Sequence, residues 1–267
     1  MDVKACCAAV YGSDLVRVLL GGTLHPGGEV LTRRLADLTR IGAGDRVLDV
    51  ASGGGSTARL LAAERGAVVW GVDLSATLVA AATREAVESG LAGSTTFEVG
   101  DAEHLGEGLG PFDVVLCECA LCTFPDQPAA VASFRRVLGP GGRVGVADVT
   151  LERGRLPTEL DTPIGRVACV AGAIPAEECA HLLREAGFTD VVVEPHPEAA
   201  IAVVDSIASR LNAAREVVRG LVDLDEALRL VEVAADAVRA GTIGYALITA
   251  AVADGVPGPP ASSARPA

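Results

Sequence analysis

Aromatic residues are scarce in this chain: five Phe, two Tyr and one Trp amount to 3% of 267 residues. Any core must therefore be aliphatic, drawn from the Ala, Val and Leu that crowd every segment. Basic residues are also few, 22 Lys and Arg against 35 Asp and Glu, which leaves a formal charge of -13. With no Lys/Arg cluster to reverse that surface locally, nucleic-acid binding is excluded and the expected partner is a small molecule. Long apolar runs are missing, since charges or Gly/Pro interrupt each one, so no membrane-spanning segment is expected. The start, MDVKACCAAVYG, has charges at Asp2 and Lys4 and no sustained apolar run before Tyr11, and does not read as a signal peptide. What the chain does have is 50% hydrophobic residues, enough for a sizeable core, and seven cysteines, an odd number. Without an export signal these are expected to remain thiols in a reducing cytoplasm.

β-branched apolar runs alternate with helical periodicity through the middle of the chain. RVLDVAS, VVWGVDL, TTFEVGD, FDVVLCE and RVGVADV read as five strands. STARLLAAERG, SATLVAAATREAVESG and DQPAAVASFRRVLGPGG read as helices between them, each ending in glycine. Strands joined by helices imply a parallel sheet covered on both faces. A helix near PAEECAHLLREAGF, a sixth strand DVVVEPH, a helical region from about Ile201 to Arg239 and a last strand GYALITAAV follow. The fold expected is α/β, a doubly wound Rossmann-like sheet of seven strands, mostly parallel with the last antiparallel. Residues 1–255 form a single domain in this reading, with 1–40 as an N-terminal helical lid and 200–240 as a helical insertion. The composition of GVPGPPASSARP marks 256–267 as a disordered tail.

The segment LDVASGGGSTA puts a glycine turn at the end of the first strand, where the next helix offers unpaired N–H groups. Gly53, Gly55 and Ala58 fit the dinucleotide pattern G-x-G-x-x-A, with Asp73 where a ribose-binding acid belongs. Asp49 argues against a dinucleotide, because a carboxylate beside the loop repels a pyrophosphate. It suits a ligand that carries an ammonium group and a sulfonium, which is S-adenosylmethionine.

Here the chain resembles the class I S-adenosylmethionine-dependent methyltransferases. VLDVASGGG is similar to that family's first cofactor motif, D/E-x-G-x-G-x-G, with Ala51 in place of its first glycine and Ser52 in place of a usual small residue. GVDLS resembles the second motif and GDAEHL the third, while FDVVLCECAL and LGPGGRV resemble the fourth strand and the turn before the fifth. The resemblance implies S-adenosyl-L-methionine as cofactor, bound by Asp49, Ala51, Ser52, Gly53, Gly55, Leu74 and Ala102. It further implies Asp73 at the ribose hydroxyls, Asp101 at the adenine amino group, and Cys117 along the cofactor from the fourth strand.

CECALC leaves the fourth strand at the edge where ligands of a doubly wound sheet sit. Cys117 still belongs to the strand in this reading, whereas Cys119 and Cys122 lie in the loop that faces the substrate. The N-terminal Cys6 and Cys7, together with Cys169 in GRVACVAGAIPAEECAHLLREAGF, make the arrangement similar to the arsenite methyltransferase branch. That resemblance implies Cys6 or Cys7, Cys119 and Cys169 as thiolate ligands of arsenic(III), with Cys179 left in the core. Three thiolates hold a soft ion and leave its lone pair free to attack a methyl group. No general base is then needed, which suits a chain with four histidines and no evident His-carboxylate constellation. The partners implied are a metalloid or small-molecule substrate and a thiol reductant such as glutathione or thioredoxin.

Two other readings stay open at this point. One is a small-molecule O-, N- or C-methyltransferase whose insertion lids an apolar pocket. The other is a non-catalytic metalloid-binding protein using C-x-C-x-x-C, although structural zinc sites usually show two separated ligand pairs. His25, in the turn LHPGG, is a further candidate for bonding the cofactor carboxylate or the substrate.

Overall fold

The computed structural model describes residues 25–106, 108–162, 165–166, 168–213 and 223–253. Helix α1 (Gly28–Leu38) precedes β1 (Arg46–Val50), α2 (Ser56–Arg65), β2 (Val68–Asp73), α3 (Ala76–Glu88) and β3 (Thr95–Val99). Then come β4 (Phe112–Glu118), α4 (Gln127–Val137), β5 (Leu138–Leu151), α5 (Ala176–Glu185), β6 (Phe188–Pro195), α6 (Pro197–Ala213), α7 (Leu224–Arg239) and β7 (Ile243–Val252). The seven strands form one sheet in the order β3-β2-β1-β4-β5-β7-β6. β7 runs antiparallel to β5 and to β6, and the pairs from β3 across to β5 are parallel. The expected doubly wound sheet is therefore present.

Strand alternation sends neighbouring residues to opposite faces. In β4, Val114 and Leu116 join a core with α1, α2, α6 and α7, while Val115 and Cys117 join one with α4 and α5. Both cores are aliphatic in the main, as the shortage of aromatics required. Local chemistry fixes the helix ends. Asp126 caps α4 by accepting from the Ala129 N–H at 2.9 Å, with Pro in the first turn, and Gly66 ends α2 in the left-handed region.

Two boundaries differ from expectation. The helix read as running to Gly142 stops at Val137, and Leu138 already pairs with Phe112 in the sheet. Gly-Pro-Gly-Gly cannot continue a helix, and the register shift between Phe112 and Val114 takes up the turn. The helical region after β6 begins at Pro197 and consists of α6 and α7, each packing on β7. No described helix is long and apolar enough to cross a membrane. Residues 1–24 of the expected lid and the expected tail 256–267 lie outside the described residues.

Candidate functional site

The carboxyl ends of β1 to β4 open into one cleft of about 1110 Å³, mouth included. Each strand delivers one acid to it. Asp49 lies in β1, Asp73 ends β2, Asp101 follows β3 and Glu118 ends β4, so the strand order sets them in a row: Asp101, Asp73, Asp49, Glu118. Ala51, Ser52, Gly53, Leu74 and Ala102 also line the cleft, as does His25.

The glycine loop is built by close backbone contacts. The Ser52 N–H donates to the Val72 carbonyl at 3.1 Å, and the Gly53 N–H donates to Asp73 at 2.8 Å. Ala51 adopts φ 56, a left-handed conformation that its Cβ disfavours. Gly55, also left-handed at φ 73, does not line the cleft. A Cβ there would stand 2.6 Å from the ring of Phe97, and one on Gly71 would stand 2.4 Å from the same ring. Gly55 thus serves packing beneath the loop.

Asp73 accepts a second amide bond, from Ser75 at 2.8 Å, yet burial raises its carboxyl above the ordinary range. Asp49 is 2% exposed and lies well above the ordinary carboxylate range, first through burial and then through Glu118 and Asp73. One oxygen of Asp49, Oδ2, and the Ser52 hydroxyl are buried without a hydrogen-bond partner. Among the described residues no basic side chain forms an ion pair with Asp49, Asp73 or Glu118. Orphaned acceptors and uncompensated negative charge in a cleft describe a receptor for a cationic ligand with donor groups. S-adenosylmethionine, with its ammonium and sulfonium, fits that description, and a dinucleotide pyrophosphate does not.

Glu118 escaped the sequence reading, which attended to the cysteines on either side of it. Its signal was that it ends an apolar strand in an acid, as Asp49 and Asp73 nearly do. The carboxylate accepts from Thr32 Oγ1 at 3.0 Å and from Thr57 Oγ1 at 2.6 Å. Thr32 in turn lies 3.4 Å from His25 Nε2.

The cysteines separate into three environments. Cys117 is fully buried in the α4/α5 core and does not line the cleft, which corrects its expected place along the cofactor. The reason is strand parity: Cys117 points to the face opposite that of Leu116. Cys119 lines the cleft from the loop after β4, at φ 52. Cys169, at φ 62 and buried, lies behind Cys119, and its Sγ donates to the Cys119 carbonyl at 3.4 Å. Cys122 is buried behind this pair, in a 3₁₀ turn, and not on the cleft wall where the loop reading put it. Cys179 lies in the core, as read. Cys6 and Cys7 lie outside the described residues.

Asp148, within β5 opposite Ala246 of β7, ties the Cys122 turn to the sheet. It accepts from the amides of Cys122 at 2.8 Å and Val149 at 2.7 Å, and burial together with Cys169 pushes its carboxyl up to about 7. The Cys169 contact and burial hold Cys119 well above the ordinary thiol range, while burial and then Cys169 do the same for Cys122. They are protonated thiols at neutral pH. Among the described residues the only compact triad of potential ligand atoms is Asp101, Glu103 and His104, so Cys119, Cys122 and Cys169 do not close a cage by themselves.

Fold and cleft together define an α/β enzyme with a receptor for a positively charged nucleoside. The model of the methyltransferase domain family matches residues 48–146. The 27-O-demethylrifamycin SV methyltransferase of Amycolatopsis mediterranei is 32% identical over 89% of this chain and 93% of its own length. An arsenite methyltransferase of Halobacterium salinarum is 33% identical over 62% of this chain, which spans only 43% of that relative. Among solved structures, a Haemonchus contortus phosphoethanolamine N-methyltransferase 2 in complex with S-adenosyl-L-methionine superposes with TM-score 0.77 at 20% identity, covering 95% of this chain and 60% of that one. The chain belongs to the S-adenosylmethionine-dependent methyltransferases, and S-adenosylmethionine is its cofactor. Membership makes it an enzyme and sets aside the non-catalytic metalloid-binding reading.

Proposed function

We propose that the chain transfers methyl groups to trivalent arsenic, as arsenite or methylarsenite, held by cysteine sulfur. The observation that carries this reading is Cys119 on the cleft wall, next to Glu118, with Cys169 buried behind it and its Sγ 3.4 Å from the Cys119 carbonyl. The bound cofactor supplies an electrophilic methyl group. Asp73 takes the ribose hydroxyls, Asp101 the adenine amino group, and Asp49 with the loop of Ala51, Ser52 and Gly53 the methionine half. Leu74 and Ala102 flank the adenosine. Each arsenic–sulfur bond forms as a thiol proton leaves with an arsenic-bound hydroxyl as water, so protonated Cys119 and Cys169 are suitable reactants. Cys6 or Cys7 supplies a third sulfur, and the arsenic lone pair stays free toward the cofactor. Burial then contributes alignment in a dry site. A thiol reductant such as glutathione keeps the cysteines reduced, in the cytoplasm.

One observation favours a second reading, methylation of an organic hydroxyl in an apolar pocket. The similarity to the rifamycin-modifying relative runs almost end to end, whereas that to the Halobacterium arsenite enzyme covers part of each chain. An acceptor screen with labelled S-adenosylmethionine and glutathione tests both. Label transfer to arsenite or methylarsenite supports the first. Transfer to members of a phenol and amine panel, with neither arsenical nor selenite labelled, overturns it.

A further inference from the structure

One polar atom in the core beside the thiols goes unanswered. Tyr245, in β7, is 1% exposed, and its hydroxyl is buried without a hydrogen-bond partner. A buried phenol ordinarily finds one, because an orphaned donor forfeits its bonds to water. Register puts the residue toward the open edge of the sheet. β7 runs antiparallel to β5, and Tyr245 stands opposite Val149, two residues beyond the Ala147 that pairs with Glu118. Strand parity turns Tyr245 to the α1/α2/α6/α7 face, and Cys119 packs against that same core. Burial opposes ionisation of the phenol first, and among charges Cys119 comes next, followed by Glu118, Asp148 and Cys169. Cys119 is itself fixed in direction: its N–H donates to the Ala147 carbonyl at 2.6 Å, at a left-handed φ of 52. Its ionisable neighbours Cys169, Asp148 and Cys117 all oppose a thiolate there. Among these groups the Tyr245 hydroxyl is the uncommitted donor. A thiol accepts hydrogen bonds poorly and gives the phenol no reason to turn, whereas a thiolate is a charged and strong acceptor.

We propose that Tyr245 is a positioning residue for Cys119, its hydroxyl donating to the Cys119 sulfur once that sulfur is a thiolate and so making Cys119 the reactive sulfur of the cleft. Ionisation breaks the sulfur–hydrogen bond, sends the proton to solvent through the cleft and leaves the electron pair on sulfur, while the phenol keeps its own proton. Tyr245 acts through Cys119 and does not itself line the cleft. The inference deepens the arsenic reading and rests on it for its use, since a sulfur that ligates arsenic carries that charge. It concerns the sulfur alone, however, and is tested without arsenic.

Tyr245→Phe keeps the ring and removes the hydroxyl. Alkylation of the full chain by iodoacetamide over a range of pH, with each cysteine resolved by mass spectrometry, reads the thiolate of Cys119, because the thiolate is the nucleophile. In Tyr245→Phe the Cys119 profile should move upward by about one pH unit, a roughly tenfold loss of rate at any pH below the midpoint. The affinity for S-adenosylmethionine, read by calorimetry, should stay within about twofold. The melting temperature should hold or rise, because the resting thiol state loses no hydrogen bond. A hydroxyl that is merely structural, held by an ordered water, gives the reverse pattern: a lowered melting temperature and an unchanged Cys119 profile, which overturns the proposal. Failure of Tyr245→Phe to fold also overturns it, since an unpartnered hydroxyl is not needed for folding. A shifted profile in a chain whose parent does not methylate arsenite would refute the arsenic reading and support the role of Tyr245.

Discussion

Two halves of one sheet edge are organised on opposite principles. From β3 to β2 the acids are held largely by the backbone: Asp73 takes two amide N–H groups and Asp101 takes that of Glu103. Beyond β4 the cysteines are held by one another and by β5: Cys169 Sγ donates to the Cys119 carbonyl, the Cys119 amide donates to Ala147, and the Asp148 carboxylate accepts from the Cys122 amide. Backbone amides do not rearrange when a ligand arrives, so the first half is preorganised for its charge. Thiol contacts are weak and exchangeable, so the second half adapts to what enters it. That division suits the proposed arsenic acceptor, which changes with each methyl group added, beside a constant donor.

The largest expected effect breaks the comparison at the thiol half. Cys169→Ser should lower arsenite methylation by about a thousandfold, because a hydroxyl is a hard and poor ligand for a soft ion. The affinity for S-adenosylmethionine, read by calorimetry, should stay within about twofold. Full turnover by the Cys119→Ser, Cys169→Ser double variant would return these residues to a packing role.

Next comes the anchor between the halves. The Asp148 carboxyl is pushed up to about 7 in the folded chain from an ordinary 3.8, so the folded state binds this proton more tightly than the unfolded one. Its contribution to stability is complete below about pH 4 and is lost as pH rises through 7, a fall of about 2 to 4 kcal/mol. Denaturant unfolding between pH 5 and pH 8 should show that decline. In Asp148→Asn it should be shallower without vanishing, since Asp49 and Asp73 are also displaced upward. An unchanged slope would exclude Asp148 as its source.

In the acid half, Asp73→Ala should weaken S-adenosylmethionine binding at least about tenfold, because a charged acceptor is worth about 1.5 kcal/mol or more. Cys119 and Cys169 reactivity toward a thiol reagent should not change. The smallest effect sharpens the view of the loop: Ala51→Gly should raise stability by about 0.5 kcal/mol. Relief of the left-handed strain slightly outweighs the added freedom of glycine in the unfolded chain. A drop in melting temperature for this variant would show that the Ala51 methyl packs usefully.

The sheet and the acid row were legible in the sequence because each strand ended in a polar residue after an apolar run, and such a pattern specifies both register and edge. Leu138–Gly142 was misread because propensity stops a helix without saying that a strand begins. Cys117 was misplaced for want of strand parity, which depends on where β4 starts, and a bulge near Phe112 sets that start. Cys169 reaches the Cys119 carbonyl across 50 positions, and nothing local in either segment announces the contact. Asp148 and Glu118 were both visible as acids at the ends of buried strands. Their meaning came only with their partners, the Cys122 amide and two threonines contributed by distant helices.

Phe97 gives the glycine loop an evolutionary lock. Its ring lies against Gly55 and Gly71 closely enough that a single methyl on either would collide with it. Neither glycine can then drift to alanine alone, and a larger ring at 97 is equally barred. Related chains should show alanine at 71 beside a smaller side chain at 97, while position 55, left-handed at φ 73 and 3.0 Å from Ala82 Cβ, stays glycine. The same coupling predicts that Gly71→Ala, damaging by itself, is rescued in part by Phe97→Leu, the Ser52 hydroxyl 2.8 Å from the added methyl accounting for the rest.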